Sequence, residues 1–281
     1  MAQPYFSIEF FPPKTLEGVA SLRAERNLLA AQGAKYYSVT LGAGGSARYG
    51  NSDTVTEIHN EGREAAPHLL CIGSQREAIL TRLKEYQAQG IRHLVALRGD
   101  LPAGEERARG EFHYANELVE FIRKETGDWF KIDIAAYPEM HPQAPSPQVD
   151  LKNFVRKAKA GADTAITQYF YNADAYFRFV DNARKAGVTI PIVPGIMPIT
   201  NYIQLAGFSE KVGAEIPRWL RLKLESYGDD LDSIRDFGLD VVTELCERLQ
   251  AGGAPGFHFY SLNRASSVVA IWQRLSQRAP K

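Results

Sequence analysis

The sequence has little cysteine and no excess of charge of either sign. Its 281 residues include two cysteines, Cys71 and Cys246, whose wide separation matches neither a disulfide framework nor a CxxC metal site. We interpret both as buried thiols of a reducing compartment. Lysine plus arginine number 33, and aspartate plus glutamate also number 33. This balance gives no electrostatic argument for DNA, RNA or an anionic membrane as a partner.

Long apolar runs are missing as well. No stretch approaches the roughly 18 apolar residues of a membrane span, and the N-terminal segment lacks the basic and apolar regions of a signal peptide. We therefore expect a cytoplasmic protein. Neither GxGxxG nor GxxxxGK[ST] occurs, so the common glycine-rich nucleotide loops are absent from the sequence.

The sequence does contain a regular alternation of short apolar runs and longer amphipathic segments. The apolar runs predict eight strands: Tyr5–Phe11, Tyr36–Leu41, Ala66–Ile72, His93–Leu97, Ile132–Ala136, Thr164–Gln168, Ile192–Gly195 and Gly256–Tyr260. The amphipathic segments predict helices, among them Thr15–Gln32, Ser74–Gln89, Asn172–Ala186 and Leu231–Gln250. Ser74 and Asn172 are candidate N-caps. The polar stretch Arg218–Asp229 is interpreted as a loop.

Eight strands alternating with helices predict the α/β class and a single (β/α)8 TIM barrel over residues 1–281, since such barrels take about 250 residues. The alternative is an open doubly wound sheet, which usually carries a glycine-rich nucleotide loop. No linker, low-complexity tract or break in composition divides the chain, so we expect one domain.

Polar residues at the C-terminal ends of the strands are the candidate site residues, because barrel enzymes build their sites there. Glu9 stands within an aromatic and aliphatic run and shares a strand face with Ser7 and Phe11. An apolar setting would raise its pKa, as a general acid requires. A structural pairing of Glu9 with a buried basic residue is an equally good interpretation.

The other candidates are individually weak. Arg98-Gly99-Asp100 follows the fourth strand and could hold an anionic or heterocyclic ligand, although an internal Arg–Asp pair explains it as well. Gly42–Ser46 could cradle an anion, but a flexible turn is the simpler interpretation. His68 and His141 have no metal-ligand spacing, so each is by itself a structural histidine.

Three further candidates have ordinary structural explanations. Asp150, Asn153 and Lys157 share a helix face with Arg156 beside it, which is typical of a solvated surface. Gln168 could read the edge of a heterocycle. Phe208 is interpreted as a core residue. From the residues alone, the sequence predicts a barrel enzyme and leaves the reaction open.

Several short motifs resemble those of methylenetetrahydrofolate reductases, and they occur in the family's order from about residue 5 to about residue 275. They are Glu9-Phe10-Phe11-Pro12-Pro13-Lys14, Ser38-Val39-Thr40-Leu41-Gly42-Ala43, Ala66-Pro67-His68-Leu69, Gly90-Ile91-Arg92-His93, Ala96-Leu97-Arg98-Gly99-Asp100, Ala136-Tyr137-Pro138-Glu139, Ile166-Thr167-Gln168, Pro194-Gly195-Ile196-Met197-Pro198 and His258-Phe259-Tyr260-Ser261-Leu262-Asn263-Arg264.

The resemblance implies a flavin-binding barrel that reduces 5,10-methylenetetrahydrofolate to 5-methyltetrahydrofolate and so feeds methionine synthesis. NADH or NADPH would reduce bound FAD and leave. The folate would then open to an iminium ion and take hydride at the same flavin face, which gives ping-pong kinetics. The resemblance also implies a homo-oligomer. The chain length leaves no room for the regulatory domain of eukaryotic members, so we expect no control by adenosylmethionine.

The resemblance further assigns roles to individual residues. Glu9 would protonate the folate, and Asp100 would tune the flavin and steady the iminium cation. The expected substrate contacts are Glu9, Gln168, Phe208, Tyr260 and Arg264, with Phe208 stacking on nicotinamide or aminobenzoate. The expected FAD contacts are Thr40, His68, Arg98, Gly99, Asp100, Tyr114, Ala115, Tyr137, His141, Asp150, Asn153, Arg156 and Lys157.

Two features depart from the family pattern. Leu41 stands where many members have tyrosine, and the loop over residues 46–52 carries less charge. Both bear on loop closure and on the choice between NADH and NADPH.

Two other functions stay open. A folate aldolase or methyltransferase without flavin would need a Schiff-base lysine or a corrinoid partner, and no strand end offers an obvious lysine. A noncatalytic folate or flavin sensor would be favoured by loss of the acid, yet Glu9 is present.

Overall fold

The computed structural model describes residues 5–40, 51–100 and 110–278. Nine parallel strands in this part of the chain form one sheet in the order β7-β6-β5-β4-β3-β2-β1-β9-β8. The strands are β1 (Tyr5–Phe10), β2 (Tyr37–Val39), β3 (Ala65–Leu70), β4 (His93–Leu97), β5 (Lys131–Ala136), β6 (Thr164–Thr167), β7 (Ile192–Val193), β8 (Gly195–Ile196) and β9 (Gly256–Tyr260). The first strand, β1, pairs with β2 on one side and with the last strand, β9, on the other. This pairing of the first strand with the last curls the sheet into a barrel. The TIM-barrel prediction is confirmed.

The seventh predicted strand is divided into two short strands with different partners. Ile192 and Val193 pair with β6, whereas Gly195 and Ile196 pair with β9. Pro194 lies between them and cannot donate to a strand ladder because it has no N–H. The ring of strands therefore closes through a single segment that changes partner at Pro194.

The helices surround the barrel, and their bounds follow the predicted amphipathic segments. They are α1 (Leu16–Ala30), α2 (Asn51–Asn60), α3 (Arg76–Ala88), α4 (Ala115–Thr126), α5 (Pro147–Lys159), α6 (Ala173–Lys185), α7 (Tyr202–Val212), α8 (Arg218–Ser226), α9 (Leu231–Ala251) and α10 (Ser266–Arg278). None of the helices in the described ranges is long and apolar enough to cross a membrane.

One of the two predicted N-caps is present. The side chain of Asn172 accepts a 3.0 Å hydrogen bond from the backbone N–H of Asp174 and caps α6. Ser74 does not cap α3, which begins after Gln75. Its backbone N–H instead donates to the carbonyl of Cys71, so Ser74 belongs to the turn before the helix.

The interpretation of Arg218–Asp229 as a loop is wrong, because most of this stretch is α8. Leu220 and Leu224 lie four residues apart and are fully buried, so one narrow apolar stripe holds the helix on the barrel. The charged residues around that stripe mask it in the sequence. Asp230 then accepts from the N–H of Ser233 and caps α9.

Strand alternation divides the buried side chains between two environments. Phe6, Ile8 and Phe10 of β1 join the large core between the sheet and the helices. The alternate residues face the inside of the barrel, where Tyr36, Ala66 and Val95 form a small separate cluster.

The inside of the barrel is notably polar. The fully buried polar side chains there include Ser7, Ser38, His93, Asp133 and His258. Buried polar groups of this kind require partners inside the barrel, and these partners shape the site.

Candidate active site

The C-terminal ends of the parallel strands meet at one end of the barrel and carry the predicted site residues. Glu9 lies near the end of β1, and His68 lies in β3, which is separated from β1 by β2. Arg98 follows β4, and Gln168 follows β6. The structure therefore brings together side chains from distant parts of the sequence, as the barrel prediction requires.

Glu9 contacts two histidines from other strands. Its Oε2 atom lies 3.3 Å from Nε2 of His68 and 3.8 Å from Nε2 of His258. The other ring nitrogen of His258, Nδ1, lies 2.7 Å from the hydroxyl oxygen of Ser7. The Glu9 side chain keeps 21% of its surface exposed, so a ligand at this end of the barrel can reach the carboxylate.

The expectation that an apolar setting raises the pKa of Glu9 is wrong for the ligand-free protein. Burial does act to raise it, but the contacts with His258 and His68 outweigh burial and lower the pKa of Glu9 to about 2. The apolar neighbours in sequence, Ile8 and Phe10, point away from Glu9 into the outer core. The alternative interpretation of Glu9 as a paired carboxylate therefore describes the ligand-free site, with histidines in place of arginine or lysine.

His258 is a candidate site residue that the sequence did not single out. It lies in β9 beside Ser7 of β1, and the two residues are in register. The only signal was its position in Gly256-Phe257-His258-Phe259-Tyr260, where a polar residue alternates with aromatic ones. That pattern places His258 on the inward face, but it does not reveal that the inward neighbour is a glutamate.

The segment after β4 forms a tight turn with a cationic side chain. Gly99 has φ +86°, and a Cβ at this position would lie 2.9 Å from Cγ2 of Ile72, so only glycine fits without rearrangement. The guanidinium of Arg98 donates to the Gly99 carbonyl and to the side-chain oxygen of Gln143. Asp100 is exposed at the end of the turn. The positive charge of Arg98 thus meets neutral acceptors.

Tyr137 and His141, which follow β5, lie beside the start of α5. Their ring centroids are 4.5 Å apart with an interplanar angle of 63°, and Asp150 accepts a 2.9 Å hydrogen bond from the His141 backbone N–H. Burial, followed by the charges of Asp100 and Asp150, raises the pKa of Tyr137 to about 12. Burial likewise lowers the pKa of His141. Neutral rings therefore line this part of the site.

Lys157 is the cationic member of the same group. Burial lowers its pKa to about 8, against the opposing effect of Asp150, and the charge of Arg98 lowers it further. Lys157 has no ion-pair partner among residues 5–40, 51–100 and 110–278. The surface-helix interpretation is thus wrong for Asp150 and Lys157, while Asn153 and Arg156 are exposed on α5.

Three predicted cofactor contacts lie at the rim of this end. Thr40 follows β2 and is half-buried, and its N–H donates to the Phe10 carbonyl at 2.8 Å. Tyr114 is exposed and directly precedes α4, whose first residue is Ala115. The N-terminus of α4 is capped from within the chain, since the Tyr114 N–H donates to the Glu117 carboxylate at 3.2 Å.

Gln168 and Tyr260 flank the opening on the side of β6 and β9. The side-chain oxygen of Gln168 accepts from the backbone N–H of Tyr169 at 3.0 Å. The Tyr260 hydroxyl donates to the Thr167 carbonyl at 2.8 Å, which fixes its ring beside His258. Tyr260 can therefore offer its ring face, rather than its hydroxyl group, to a ligand.

Phe208 and Arg264 lie on the outer part of the same opening. The interpretation of Phe208 as a core residue is wrong, because 40% of its surface is exposed on α7. It lines a shallow cavity together with Met197, Leu205 and Leu262. Arg264 is exposed just after β9. Leu41, the Gly42–Ser46 turn and most of the loop over residues 46–52 lie outside the described residues.

The chain is similar in sequence to known proteins along almost its whole length. The family model described as methylenetetrahydrofolate reductase matches residues 1–276. The 5,10-methylenetetrahydrofolate reductases of Salmonella typhimurium and Escherichia coli are each 40% identical over 273 residues, which cover 97% of this chain and 90% of each relative. A methylenetetrahydrofolate reductase (NADH) of Zea mays is 37% identical over 290 residues, covering 96% of this chain and 48% of the plant protein.

A solved structure supports the fold. A protein from Clostridium thermocellum, described as binding two copies of 5-methyl-5,6,7,8-tetrahydrofolic acid, superimposes with a TM-score of 0.67 at 16% identity. The alignment covers 96% of this chain and 93% of that chain. At this level of identity the likeness establishes the shared barrel architecture.

Proposed function

Since the chain belongs to the methylenetetrahydrofolate reductase family, we propose that it reduces 5,10-methylenetetrahydrofolate to 5-methyltetrahydrofolate with NADH or NADPH, through bound FAD and by ping-pong kinetics. The barrel alone would carry the reaction, and its product would supply methionine synthesis. The observation that carries the proposal is the Glu9 carboxylate beside His68 and His258 at the open end of a barrel of this family.

The residues around the opening fit an anionic dinucleotide. Lys157 and Arg98 place two cations near each other, neither with a carboxylate ion-pair partner among the described residues, which suits a diphosphate. Gly99 holds the turn after β4 at a positive φ, and the backbone of this turn would lie beside the flat ring system. The ribityl and adenosine parts would extend toward Tyr114, Ala115 and the exposed face of α5. The bound FAD would supply two-electron transfer between the nicotinamide and the folate.

Glu9 would serve as the acid that protonates N10 of the folate, which opens the five-membered ring. In the ligand-free protein the pKa of Glu9 is lowered to about 2, and its carboxylate contacts the imidazoles of His68 and His258. A ligand that covers the carboxylate removes its water and raises its pKa. The proton would then move from an imidazole to Glu9 and from Glu9 to the substrate.

The neighbouring residues would orient the substrate and steady its charge. Asp100, exposed at the end of its turn, would face the iminium cation that ring opening produces. Gln168 and Tyr260 would hold the folate, and Phe208 would stack on the nicotinamide or the aminobenzoate ring. Because Phe208 is half-exposed, it can meet either substrate without rearrangement of the core.

The visible absorption spectrum of the protein with added FAD tests the proposal. We expect flavin bands that bleach with anaerobic NADH and return when methylenetetrahydrofolate is added. If no flavin binds, the FAD-dependent reaction is ruled out and a flavin-free folate enzyme replaces it. Bound flavin that reacts with neither NADH nor NADPH would instead indicate a different electron donor or a sensor.

A further inference from the structure

A second group of buried ionisable residues fills the barrel below Glu9, and the mechanism above does not use it. Tyr36, His93 and Asp133 are each at most 1% exposed, although two of them carry charge. Burial of such groups is costly unless they are fully paired. Yet Oδ1 of Asp133 and Nε2 of His93 have no hydrogen-bond partner among the described residues, so the group is not arranged solely to satisfy its own polar atoms.

The contacts within this group run from the middle of the barrel to solvent. The Tyr36 hydroxyl donates a 2.7 Å hydrogen bond to Oδ2 of Asp133. Nε2 of His93 lies 2.9 Å from the same Oδ2 atom. Nδ1 of His93 lies 2.7 Å from Oε1 of Glu64, whose side chain is 43% exposed. Glu64 directly precedes β3 and therefore lies at the N-terminal end of the strands, opposite Glu9.

The same group joins the Glu9 site at its other end. Burial and the charge of Asp133 raise the pKa of Tyr36, and the Ser7 side chain acts in the opposite direction because it lies next to the Tyr36 hydroxyl. Their strands are in register, since Ile8 donates its N–H to the Tyr36 carbonyl at 3.1 Å. Ser7 in turn lies 2.7 Å from Nδ1 of His258, whose other nitrogen faces Glu9.

These contacts form a continuous series, here named the inner polar chain: Glu9, His258, Ser7, Tyr36, Asp133, His93 and Glu64. We propose that the inner polar chain conducts protons from solvent at Glu64 to the acid Glu9. The proposal rests on the function proposed above, in which Glu9 protonates the folate.

The overall reaction requires that Glu9 receive a proton in each turnover, and the inner polar chain would supply it. NADH supplies a hydride only, whereas the product carries two more hydrogens than methylenetetrahydrofolate, so each turnover consumes one proton. Glu9 gives up that proton and must regain it. FAD and folate would both cover the C-terminal end of the barrel, where Glu9 would otherwise meet water. The N-terminal end stays open to solvent at Glu64.

A proton can pass along the inner polar chain by successive transfers. After Glu9 has lost its proton, His258 gives one from Nε2 and takes one at Nδ1 from Ser7. The Tyr36 hydroxyl turns from Asp133 toward Ser7, gives Ser7 a proton and takes one from Asp133, and His93 supplies Asp133. Solvent restores His93 through Glu64. One proton enters at Glu64 and one reaches Glu9; the His258 ring, left protonated at Nδ1, and the two hydroxyl groups then turn back before the next turnover.

The electrostatics of the lower end favour a proton held there. Burial acts against the charged form of His93, but Asp133 and Glu64 outweigh it and raise its pKa. The pKa of Asp133 is lowered, despite burial, by His93, Lys131 and Tyr36. A protonated His93 beside an ionised Asp133 can donate a proton, and its contact with the exposed Glu64 connects it to solvent.

The test is Tyr36→Phe, which removes one oxygen from the middle of the chain and keeps the ring. Tyr176→Phe is the matched control, because its buried hydroxyl also donates a 2.7 Å hydrogen bond, to the Ile192 carbonyl. Neither Tyr176 nor Ile192 belongs to the inner polar chain. Both half-reactions are followed by stopped-flow flavin absorbance in H2O and D2O. We expect Tyr36→Phe to slow the folate half-reaction about tenfold or more and to increase its solvent isotope effect. The NADH half-reaction, which needs no proton, stays within about twofold.

Glu64→Gln repeats the measurement at the exposed end, where the substitution leaves the barrel core intact, with the exposed Glu77→Gln as its control. In one outcome, both Tyr36→Phe and Glu64→Gln keep a folate half-reaction within about twofold of wild type and an unchanged isotope effect. The proton would then enter from the C-terminal end of the barrel, and the proposal would be overturned. Equal slowing of both half-reactions would overturn it in favour of a structural role. If the wild-type protein itself does not reduce the folate, the proposed function fails together with this inference.

Discussion

The carboxylate of Glu9 lies 3.3 Å from Nε2 of His68, a residue contributed by a different strand of the barrel. This contact, with a second one to His258, sets the charge of Glu9 in the ligand-free protein. The candidate acid is thus held in its ionised form by side chains from two other strands.

Glu9→Gln should stop folate reduction and leave flavin reduction intact. The folate half-reaction needs a proton, so loss of the acid should slow it by about 100-fold or more. Reduction of the flavin by NADH should stay close to wild type. Anaerobic stopped-flow measurement of each half-reaction distinguishes the two effects, and equal loss of both in a folded, flavin-loaded variant would refute the role of Glu9.

The contacts of Glu9 with His68 and His258 should also make the free energy of unfolding depend on pH. The pKa of Glu9 falls from its ordinary 4.5 to about 2 on folding, which corresponds to at most about 3 kcal/mol. A lowered carboxyl pKa stabilises the fold above the unfolded pKa, and this stability is lost as pH falls from about 4.5 toward 2.

Urea unfolding of wild type and Glu9→Gln from about pH 6 down to about pH 3 measures this effect. Since glutamine does not titrate, the difference in unfolding free energy between the two proteins should shrink as the pH is lowered. A constant difference across this range would show that Glu9 is not stabilised in its ionised form.

Gly195→Ala should disturb both the barrel closure and Tyr260. A Cβ at this position would lie 2.1 Å from the Thr167 carbonyl oxygen and 2.6 Å from the Tyr260 ring. We expect a loss of about 1–3 kcal/mol or more in unfolding free energy, together with weaker folate binding. Gly207→Ala on the exposed side of α7 is the control, since a Cβ there meets nothing within 4 Å. That change should be neutral or stabilising by about 0.5–1 kcal/mol.

Lys157→Met should weaken FAD binding by about tenfold or more, because one unpaired cation is removed beside the diphosphate position. Lys152→Met on the same helix replaces an exposed lysine and should change the affinity little. Quenching of flavin fluorescence during titration gives both dissociation constants. If the two variants bind FAD equally, Lys157 does not face the cofactor.

The pH dependence of FAD affinity offers an independent check on Lys157. Its pKa of about 8 in the ligand-free protein means that the positive charge is lost as pH rises above that value. FAD affinity in the wild type should therefore fall between about pH 7 and pH 9.5, and this part of the dependence should vanish in Lys157→Met.

The sequence predicts the elements well where a local pattern determines them. The bounds of β4 and β9 agree with the apolar runs His93–Leu97 and Gly256–Tyr260. The pattern fails where partners come from elsewhere in the chain. Pro194 divides a strand because the two halves meet different neighbours, and α8 depends on two leucines that pack on a surface the sequence does not reveal.

The candidate site shows the same division. Strand alternation placed Glu9 on the face of β1 opposite Ile8 and Phe10, and the structure has those two residues in the outer core, away from Glu9. The neighbours of Glu9, however, are histidines supplied by β3 and β9, and register between strands is not legible from one strand alone. The sequence therefore indicated the acid and missed His258, together with the charge state that His258 imposes.

The change of partner at Pro194 has a consequence for assembly. Ile192 and Val193 pair with β6, and Gly195 and Ile196 pair with β9, so the described sheet has no free edge strand. A free edge strand is where a strand of another molecule can add to a sheet, both in normal association and in aggregation. Copies of this chain that associate through the described part of the molecule must therefore meet through helices and loops.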